Sequence, residues 1–448
     1  MSLAGRIWIR CQSTLKVIGR EYPLDGWSNT PPRILSLVGR NLHLEPSHPI
    51  SILRSLIEAK FEGSNEYHIY NNLRPDVSVF QNFDVLGFPT DHVGRSKSDT
   101  YYINKEHLLR THTSAHEHEA FTAIQKGQTD KPGYLITGDV YRRDEIDRTH
   151  YPVFHQMEGA RVWKRGDFKS SQLLLEQIQR DIDAIPKGNL IVEDVGYDKV
   201  QNPKQDYMTN DETELVATHL KRTLELLVDA VFNEARRAAK AAGSNEPYLN
   251  EPLKVRWVEA YFPWTAPSWE IEVWWKGEWL EVTGCGVVRK LVLDNSGMDE
   301  TIGWAFGVGL DRIAMLLFGI PDIRLFWSLD ERFSSQFTQG KITTFRPYSK
   351  YPGCVKDVSF WLPQKEANGQ WTPLHENDLM EIVREEAGDL VESVKLVDEF
   401  THPKTGKKSQ TYRINYQSMD RNVTNKEINE FQQLVRENLV DKFGVEMR

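Results

Sequence analysis

Hydrophobic residues recur along this chain with two periods, and the changes of period predict its elements. From Pro49 to Phe61, the positions Ile50, Leu53, Leu56, Ile57 and Phe61 share one helical face. A longer helix is predicted from Asp211 to Ala242. There Val216, Leu220, Leu224, Leu227, Val231 and Ala235 form a stripe, with Asn210 as a candidate N-cap and Gly243 as the stop. The runs "GYLITGDVYRR", "KVRWVEAYFPW" and "SWEIEVWWKGEWLEVTGCGVV" read as strands. In the last, Trp269, Ile271, Val273 and Trp275 alternate with Glu270, Glu272 and Trp274, and "KGE" supplies a hairpin turn. Long antiparallel strands with helices between them predict an α+β fold over a doubly wound sheet.

A second pattern starts near Thr343. "CVKDVSFWLP", a helix from Glu376 to Ala387, "LVESVKLVDEFT", a "HPKTGKK" turn, "SQTYRINYQS" and a helix from Asn425 to Phe443 follow one another, with a short strand at "GVEMR". That β-α-β-β-α-β order predicts a ferredoxin-like domain over residues 343–448. Residues 21–330 would form the larger domain. Gly340, Ser334, Ser335 and Gln336 mark 331–342 as a linker rather than a core element.

The 448 residues, 40% apolar and 27% charged, have room for two to three domains and a sizeable core. No run of about eighteen apolar residues exists, so no membrane-spanning helix is predicted. Cys11, Cys285 and Cys354 lie far apart, which excludes a disulfide framework and a cysteine-built zinc site. The net charge of −9 gives no general attraction for nucleic acid. The first twenty residues carry Arg6, Arg10, Lys16 and Arg20 before any acid, among apolar residues. Such a start reads as a mitochondrial transit peptide or as a frayed basic terminus.

Candidate chemistry gathers in two segments. In "GDVYRRDEIDRTHYPVFHQMEG" a strand leads to Arg142, whose planar fork suits a phosphate. Asp144 is placed to orient that fork, and Phe154 offers a plane for a base. The same residues could be a charged hairpin with surface ion pairs. In "GWAFGVGLDRIAMLLFG" a glycine-rich strand from Gly303 to Gly309 runs into a helix bearing Arg312. Two arginines on strand ends of one sheet could hold two ends of a polyphosphate. No P-loop or kinase motif set is present.

These segments resemble motifs 2 and 3 of class II aminoacyl-tRNA synthetases, and "THYPVFHQMEG" resembles the phenylalanine-specific branch of that family. "RPDVSVFQNFDVLGFPTDHVGRSKSDTYYI" is similar to its motif 1 region, with Pro75 at the motif proline. "LLRTHTSAHEHE" and "AYFPWTAPSWEIEV" are similar to its substrate-pocket segments. "KYPGCVKDVSFWLP" with "DRNVTNKEINEFQ" resembles its ferredoxin-fold anticodon-binding domain. The resemblance covers residues 45–448 and has the single-chain organellar order of parts. It implies a monomer of the mitochondrial matrix that joins L-phenylalanine to tRNA(Phe) with ATP and Mg2+.

The resemblance also implies site residues. Arg142 would bind the α-phosphate and Phe154 would stack on adenine, with Asp144, Thr149, His150, Tyr151 and Arg312 completing the ATP site. Glu281 would ligate Mg2+, as oxygen donors suit a hard ion. His112, Ser114, Ala115, His116, Glu117, Gln156, Met157 and Glu158 would surround the amino acid's polar end. Phe262, Trp264, Ala305 and Phe306 would shape the pocket for its ring; without the neighbouring motifs those aromatics could equally be core. Trp264 stands where the family usually has a second phenylalanine, and Asp144 and Asp311 where longer glutamates are common. Val93 and Gly94 replace a usual proline-alanine pair. Adenylation and transfer need no protein base, so the histidines are read as binding groups.

An RNA site is less marked. Between Thr343 and Arg448 there are fifteen basic and seventeen acidic residues, a balance of −2. Lys404, Lys407 and Lys408 on one turn, near Tyr412 and Arg413, form the candidate patch, or else a solvated turn. An active phenylalanine ligase, a ligase for another aromatic amino acid, and a non-enzymatic RNA-binding relative remain as alternatives.

Overall fold

A computed structural model describes residues 14–62, 65–197, 200–347, 351–363 and 374–448. The chain opens on an antiparallel hairpin, β1 (Thr14–Val17) with β2 (Arg20–Pro23). Val17 and Tyr22 enter the main core, and Arg74 donates to the Val17 carbonyl at 3.1 Å. Residues 14–20 therefore belong to the folded body, which shortens the stretch read as a leader. The basic residues Arg6 and Arg10 lie outside the described residues.

Helices α1 (Pro32–Leu37) and α2 (Pro49–Glu62) lead into strand β3 (Tyr67–Tyr70). The short strands β4 (Asp76–Ser78) and β5 (His107–Leu109) pair with each other before helix α3 (Glu117–Gln125). Then come β6 (Gly133–Tyr141), β7 (Val153–Lys164), α4 (Ser171–Ala184), β8 (Leu190–Glu193) and α5 (Asn210–Ala241). Strands β9 (Leu253–Phe262), β10 (Thr265–Trp275) and β11 (Glu278–Val288) form a meander. Helix α6 (Lys290–Asn295), β12 (Thr301–Gly309), α7 (Leu310–Phe318) and α8 (Glu331–Ser334) complete the large domain.

Its eight-stranded sheet runs β3-β6-β7-β12-β11-β10-β9-β8. Only the outer pairs β3–β6 and β8–β9 are parallel. The predicted "KGE" turn joins β10 to β11, with Lys276 and Gly277 both at positive φ, as a tight hairpin requires. Along β10 the tryptophan, isoleucine and valine positions are buried and the glutamates are half-buried, as alternation predicts. One sheet face packs against α2, α5 and α7. The other carries Phe83, Phe88, Phe121 and α6 residues, and opens into a cavity.

Two sequence expectations need correcting. Helix α5 is capped by Thr209, not Asn210: the Thr209 hydroxyl accepts from Glu212 N–H at 3.1 Å while the Glu212 carboxylate accepts from Thr209 N–H at 2.8 Å. Residues 331–342 are not a simple linker. Phe333, Phe337 and Ile342, with Phe345 beyond them, are buried in the main core. Polar residues there occupy the outer side of an apolar anchor.

The second domain has β13 (Cys354–Trp361), α9 (Glu376–Ala387), β14 (Val391–Thr401), β15 (Lys408–Tyr416), α10 (Asn425–Phe443) and β16 (Glu446–Met447). The sheet order β14-β15-β13-β16 is the expected split β-α-β arrangement. This domain sits on the loop between β6 and β7. Ile146 from that loop is buried in the second domain's own core, and its carbonyl accepts from Val394 N–H at 2.9 Å. Arg384 donates to the Asp144 carbonyl at 2.6 Å, Arg143 pairs with Asp378 at 3.1 Å, and Tyr101 donates to Glu381 at 2.9 Å.

Candidate active site

A cavity of about 640 Å³ opens where β6, β7, β12, β11 and the loop after β5 converge. Its polar wall follows from the β6–β7 hairpin. Alternation along β7 turns Gln156 and Glu158 into the cavity and sends Met157 into the opposite core, so Met157 is no contact residue. The turn Thr113–His116 closes over them. Ser114 donates to Glu158 Oε2 at 2.5 Å, Thr113 donates to the same oxygen at 3.3 Å, and Tyr134 donates to Oε1 at 3.3 Å. Burial pushes the Glu158 carboxyl up to about 7, opposed by those hydrogen bonds. Glu117 lines the same wall, and burial beside Glu158 raises its carboxyl well above the usual range.

Two other expected contacts point away. His116 bonds Arg110 at 3.0 Å and Glu119 at 3.2 Å, and Ala115 packs in the core beneath the turn. His112 does line the cavity. Burial, with the nearby Arg142 charge, lowers it to about 3, so its ring is neutral.

Aromatic rings make the apolar wall. Trp264 stacks on Phe88 at 5.3 Å and lies 6.0 Å from both Phe262 and His112, with interplanar angles of 25–27°. The tryptophan thus extends a continuous stack rather than blocking the pocket. Phe262 fits because Gly284 faces it: a Cβ there would lie 2.5 Å from the ring. Ala305 and Phe306 both line the cavity, but the Phe306 ring turns to the other face of the sheet. Neighbours on a strand point to opposite faces, and the Phe306 ring packs over Gly159, stacked on Phe61 at 6.0 Å. Phe83 and Phe88, which sequence reasoning missed, supply rings from the loop after β4. No period marks them, because that loop has none.

At the other end lies Arg142. Its Nε donates to the Thr111 carbonyl at 2.7 Å, and its guanidinium sits 5.3 Å over the Phe154 ring. Among the described residues no carboxylate oxygen lies within 4.0 Å of it. Burial lowers its pKa, opposed by Asp144 through space. Asp144 and Arg143 also border the cavity. Arg312 lies in the first turn of α7, just beyond the lining residue Gly309; its side chain is exposed and not part of the wall. Asp311 is buried instead, accepting from His155 N–H at 2.5 Å and tying α7 to β7.

Thr149, His150 and Tyr151 are also outside the cavity. Thr149 and His150 wrap Asp147, which holds the His150 imidazole above its usual pKa against desolvation. Tyr151 stacks on Trp327 at 5.3 Å and donates to Asp389 of the second domain at 2.8 Å. The loop is engaged by that domain, which explains their placement.

Glu281 lies at the exposed rim, opposite Glu272 in the β10–β11 register and close enough to Glu270 to raise its pKa, after desolvation. Glu272 is engaged by Arg256 at 2.5 Å, so Glu281 and Glu270 are the oxygen donors left at that rim, a type that suits Mg2+.

In the second domain Lys407 is paired with Glu446 at 2.8 Å, while Lys404 and Lys408 are exposed. Beside them Trp361, Phe400 and His402 form an edge-to-face cluster, with Arg448 5.6 Å over both Trp361 and Phe400. The sequence concealed it, because these residues come from three distant segments.

The family description "tRNA synthetases class II core domain (F)" matches residues 35–185 and 212–337, and "Ferredoxin-fold anticodon binding domain" matches 349–448. Together they define a class II synthetase core fused to an anticodon-binding domain. The mitochondrial phenylalanine–tRNA ligase of Saccharomyces cerevisiae is 56% identical over 98% of this chain and 97% of its own length. Those named for Drosophila melanogaster (as a probable one) and Mus musculus are 43% and 40% identical, each over 97% of this chain and 92% and 89% of their own. The chain belongs to the mitochondrial phenylalanine–tRNA ligase family.

Proposed function

We propose that the chain activates L-phenylalanine with ATP and transfers it to tRNA(Phe) in mitochondrial translation. One observation carries this reading: a single cavity joins a buried carboxylate, Glu158, beneath an aromatic stack to an arginine, Arg142, that has no anionic partner within 4.0 Å among the described residues. The carboxylate suits the ammonium of an amino acid, the stack suits its ring, and the arginine suits a phosphate.

The amino acid's carboxylate oxygen attacks the α-phosphorus, the bond to the bridging oxygen breaks, and pyrophosphate leaves. Arg142 stabilises charge on the α-phosphate, while Glu158, Gln156 and Ser114 hold the amino acid in line. A ribose hydroxyl of tRNA then attacks the adenylate carbonyl and AMP departs. No side chain is needed as a proton shuttle. Phe154 stacks on adenine, and Arg312 with His150, Thr149 and Tyr151 contacts the phosphates once the loop turns inward. Glu281, with Glu270 near it, would hold Mg2+, which would neutralise phosphate charge when bound.

The second domain takes the anticodon end of tRNA. Lys404 and Lys408 attract its backbone, and Trp361, Phe400 and His402 offer planes for bases. The reading includes a monomer in the mitochondrial matrix, led there by the basic start.

Phenylalanine-dependent exchange of pyrophosphate into ATP, compared with tyrosine, tests the ligase reading. Exchange with phenylalanine, and roughly a hundredfold less with tyrosine, is expected, because an apolar ring wall excludes an added hydroxyl only modestly. No exchange with either amino acid would refute it.

A further inference from the structure

Two carboxyls, Glu117 at the start of α3 and Glu158 on β7, are buried in one wall of the amino-acid cavity, with 1% and 3% of their surface exposed. Among the described residues neither has a lysine, arginine or histidine nitrogen within 4.0 Å. Two ionised carboxylates in a dry wall without a cation repel each other, and each forgoes its hydration, so one of them holds a proton.

Hydrogen bonding decides which. Glu158 receives three hydroxyl donors, from Ser114, Thr113 and Tyr134, and donors favour the ionised form. The groups that face Glu117 are Glu158 from β7 and the Tyr134 hydroxyl from β6. Among the described residues Glu117 Oε2 is buried with no hydrogen-bond partner, and the Tyr134 hydroxyl is the one donor that reaches this carboxyl. The histidines around it are turned elsewhere: His112 onto Phe88, His116 onto Arg110 and Glu119, and His118 onto Ser296. Arg142 is held by Thr111 and Phe154.

We propose that Glu117 works as a neutral carboxylic acid, so that the ammonium subsite carries one negative charge, on Glu158, matched to one substrate ammonium. Its polar oxygens then border the substrate's α-amino group without adding a second charge. An ionised Glu117 would make the empty subsite doubly negative, a state that only a bound ammonium relieves. By linkage, loss of the Glu117 proton at high pH adds attraction for the ammonium, whereas glutamine, which has the same shape and is never charged, leaves the single Glu158 charge at every pH.

The proposal rests on phenylalanine being the ligand of this cavity. The test is the KM for phenylalanine in pyrophosphate exchange, measured against pH for the full-length wild type, Glu117→Gln and Glu117→Ala. The free amino acid's own amine titrates identically in all three, so the readout is the difference between proteins. In the wild type the KM should rise less steeply on the alkaline side than in Glu117→Gln, by up to about tenfold per pH unit once Glu117 ionises. Glu117→Ala should show a raised KM at all pH values. The KM for ATP should stay constant in all three, which reports an intact fold. An alkaline limb in Glu117→Gln equal to the wild type's would overturn the proposal, as would a Glu117→Gln variant as impaired as Glu117→Ala. Phenylalanine exchange without these differences refutes only the role of Glu117. No exchange in the wild type refutes the ligase reading beneath it.

Discussion

Replacing Arg142 by alanine should separate stability from catalysis. In the folded protein its side chain makes one hydrogen bond to the Thr111 carbonyl and one contact with the Phe154 ring. Losing the first costs about 0.5–1.5 kcal/mol, less where water in the cavity replaces the donor. Losing the second costs about 0.5–1 kcal/mol. Against both stands relief of a buried charge with no carboxylate within 4.0 Å among the described residues, whose desolvation lowers its pKa. The net change should lie within about 1 kcal/mol, a Tm shift of no more than about 2 °C for a chain of this length. The reaction is affected differently. A positioned cation aimed at charge that develops on phosphorus is worth about 3–4 kcal/mol, or a hundredfold to a thousandfold in kcat. Arg142→Lys should recover part of this, because it keeps the charge but not the planar fork. Melting curves and pyrophosphate exchange on the same preparations give both numbers. Exchange within threefold of wild type in Arg142→Ala, or a fall in Tm of several degrees, would refute the assignment.

Three further outcomes follow from named contacts. The KM for phenylalanine should rise as pH falls through about 7, because Glu158 must be ionised to hold the ammonium; Glu158→Gln should have a high KM that no longer follows pH there. The raised carboxyl also means that the folded chain holds a proton the unfolded chain has lost above its ordinary value of 4.5, so stability falls as pH rises from there to about 7, and Glu158→Gln should flatten that part of a urea-midpoint profile. Phe337→Ala should destabilise the large domain by about 3–5 kcal/mol in urea unfolding, since that ring is only 4% exposed within its core; a change under about 1 kcal/mol would restore the linker reading. Gly284→Ala should raise the KM for phenylalanine while sparing that for ATP, because the new Cβ would displace the Phe262 ring; an unchanged KM would remove Phe262 from the pocket wall.

Period and punctuation made much of this fold legible. The α2 and α5 stripes, the β10–β11 hairpin and the order of elements in the second domain all follow from local spacing. Misreadings arose where a distant partner decides. Ser334, Ser335 and Gly340 look like connector residues, yet Phe333 and Phe337 anchor them from beneath. Phe306 lines the cavity beside Ala305, yet the strand period alone shows that its ring belongs to the other face. The same period sends Met157, between Gln156 and Glu158, into the opposite core. By contrast, nothing local places Ile146 in the core of another domain, or joins Trp361, Phe400 and Arg448. Of the candidate site, the polar wall and Arg142 were legible because motifs carry them. Tyr151 and Ile146 of the loop are held by contacts more than two hundred residues away in sequence, while Thr149 and His150 fold back on Asp147.

The burial of Ile146 has a consequence for how the molecule comes apart. An apolar side chain from the loop of one sheet completes the interior of the other, and Arg384 and Arg143 fasten the same loop on either side. The two domains are therefore thermodynamically linked beside the cavity. Lesions in the second domain will be felt as disorder in the loop that borders it, and a variant that disrupts the second domain's interior will resemble a mutant of the cavity wall.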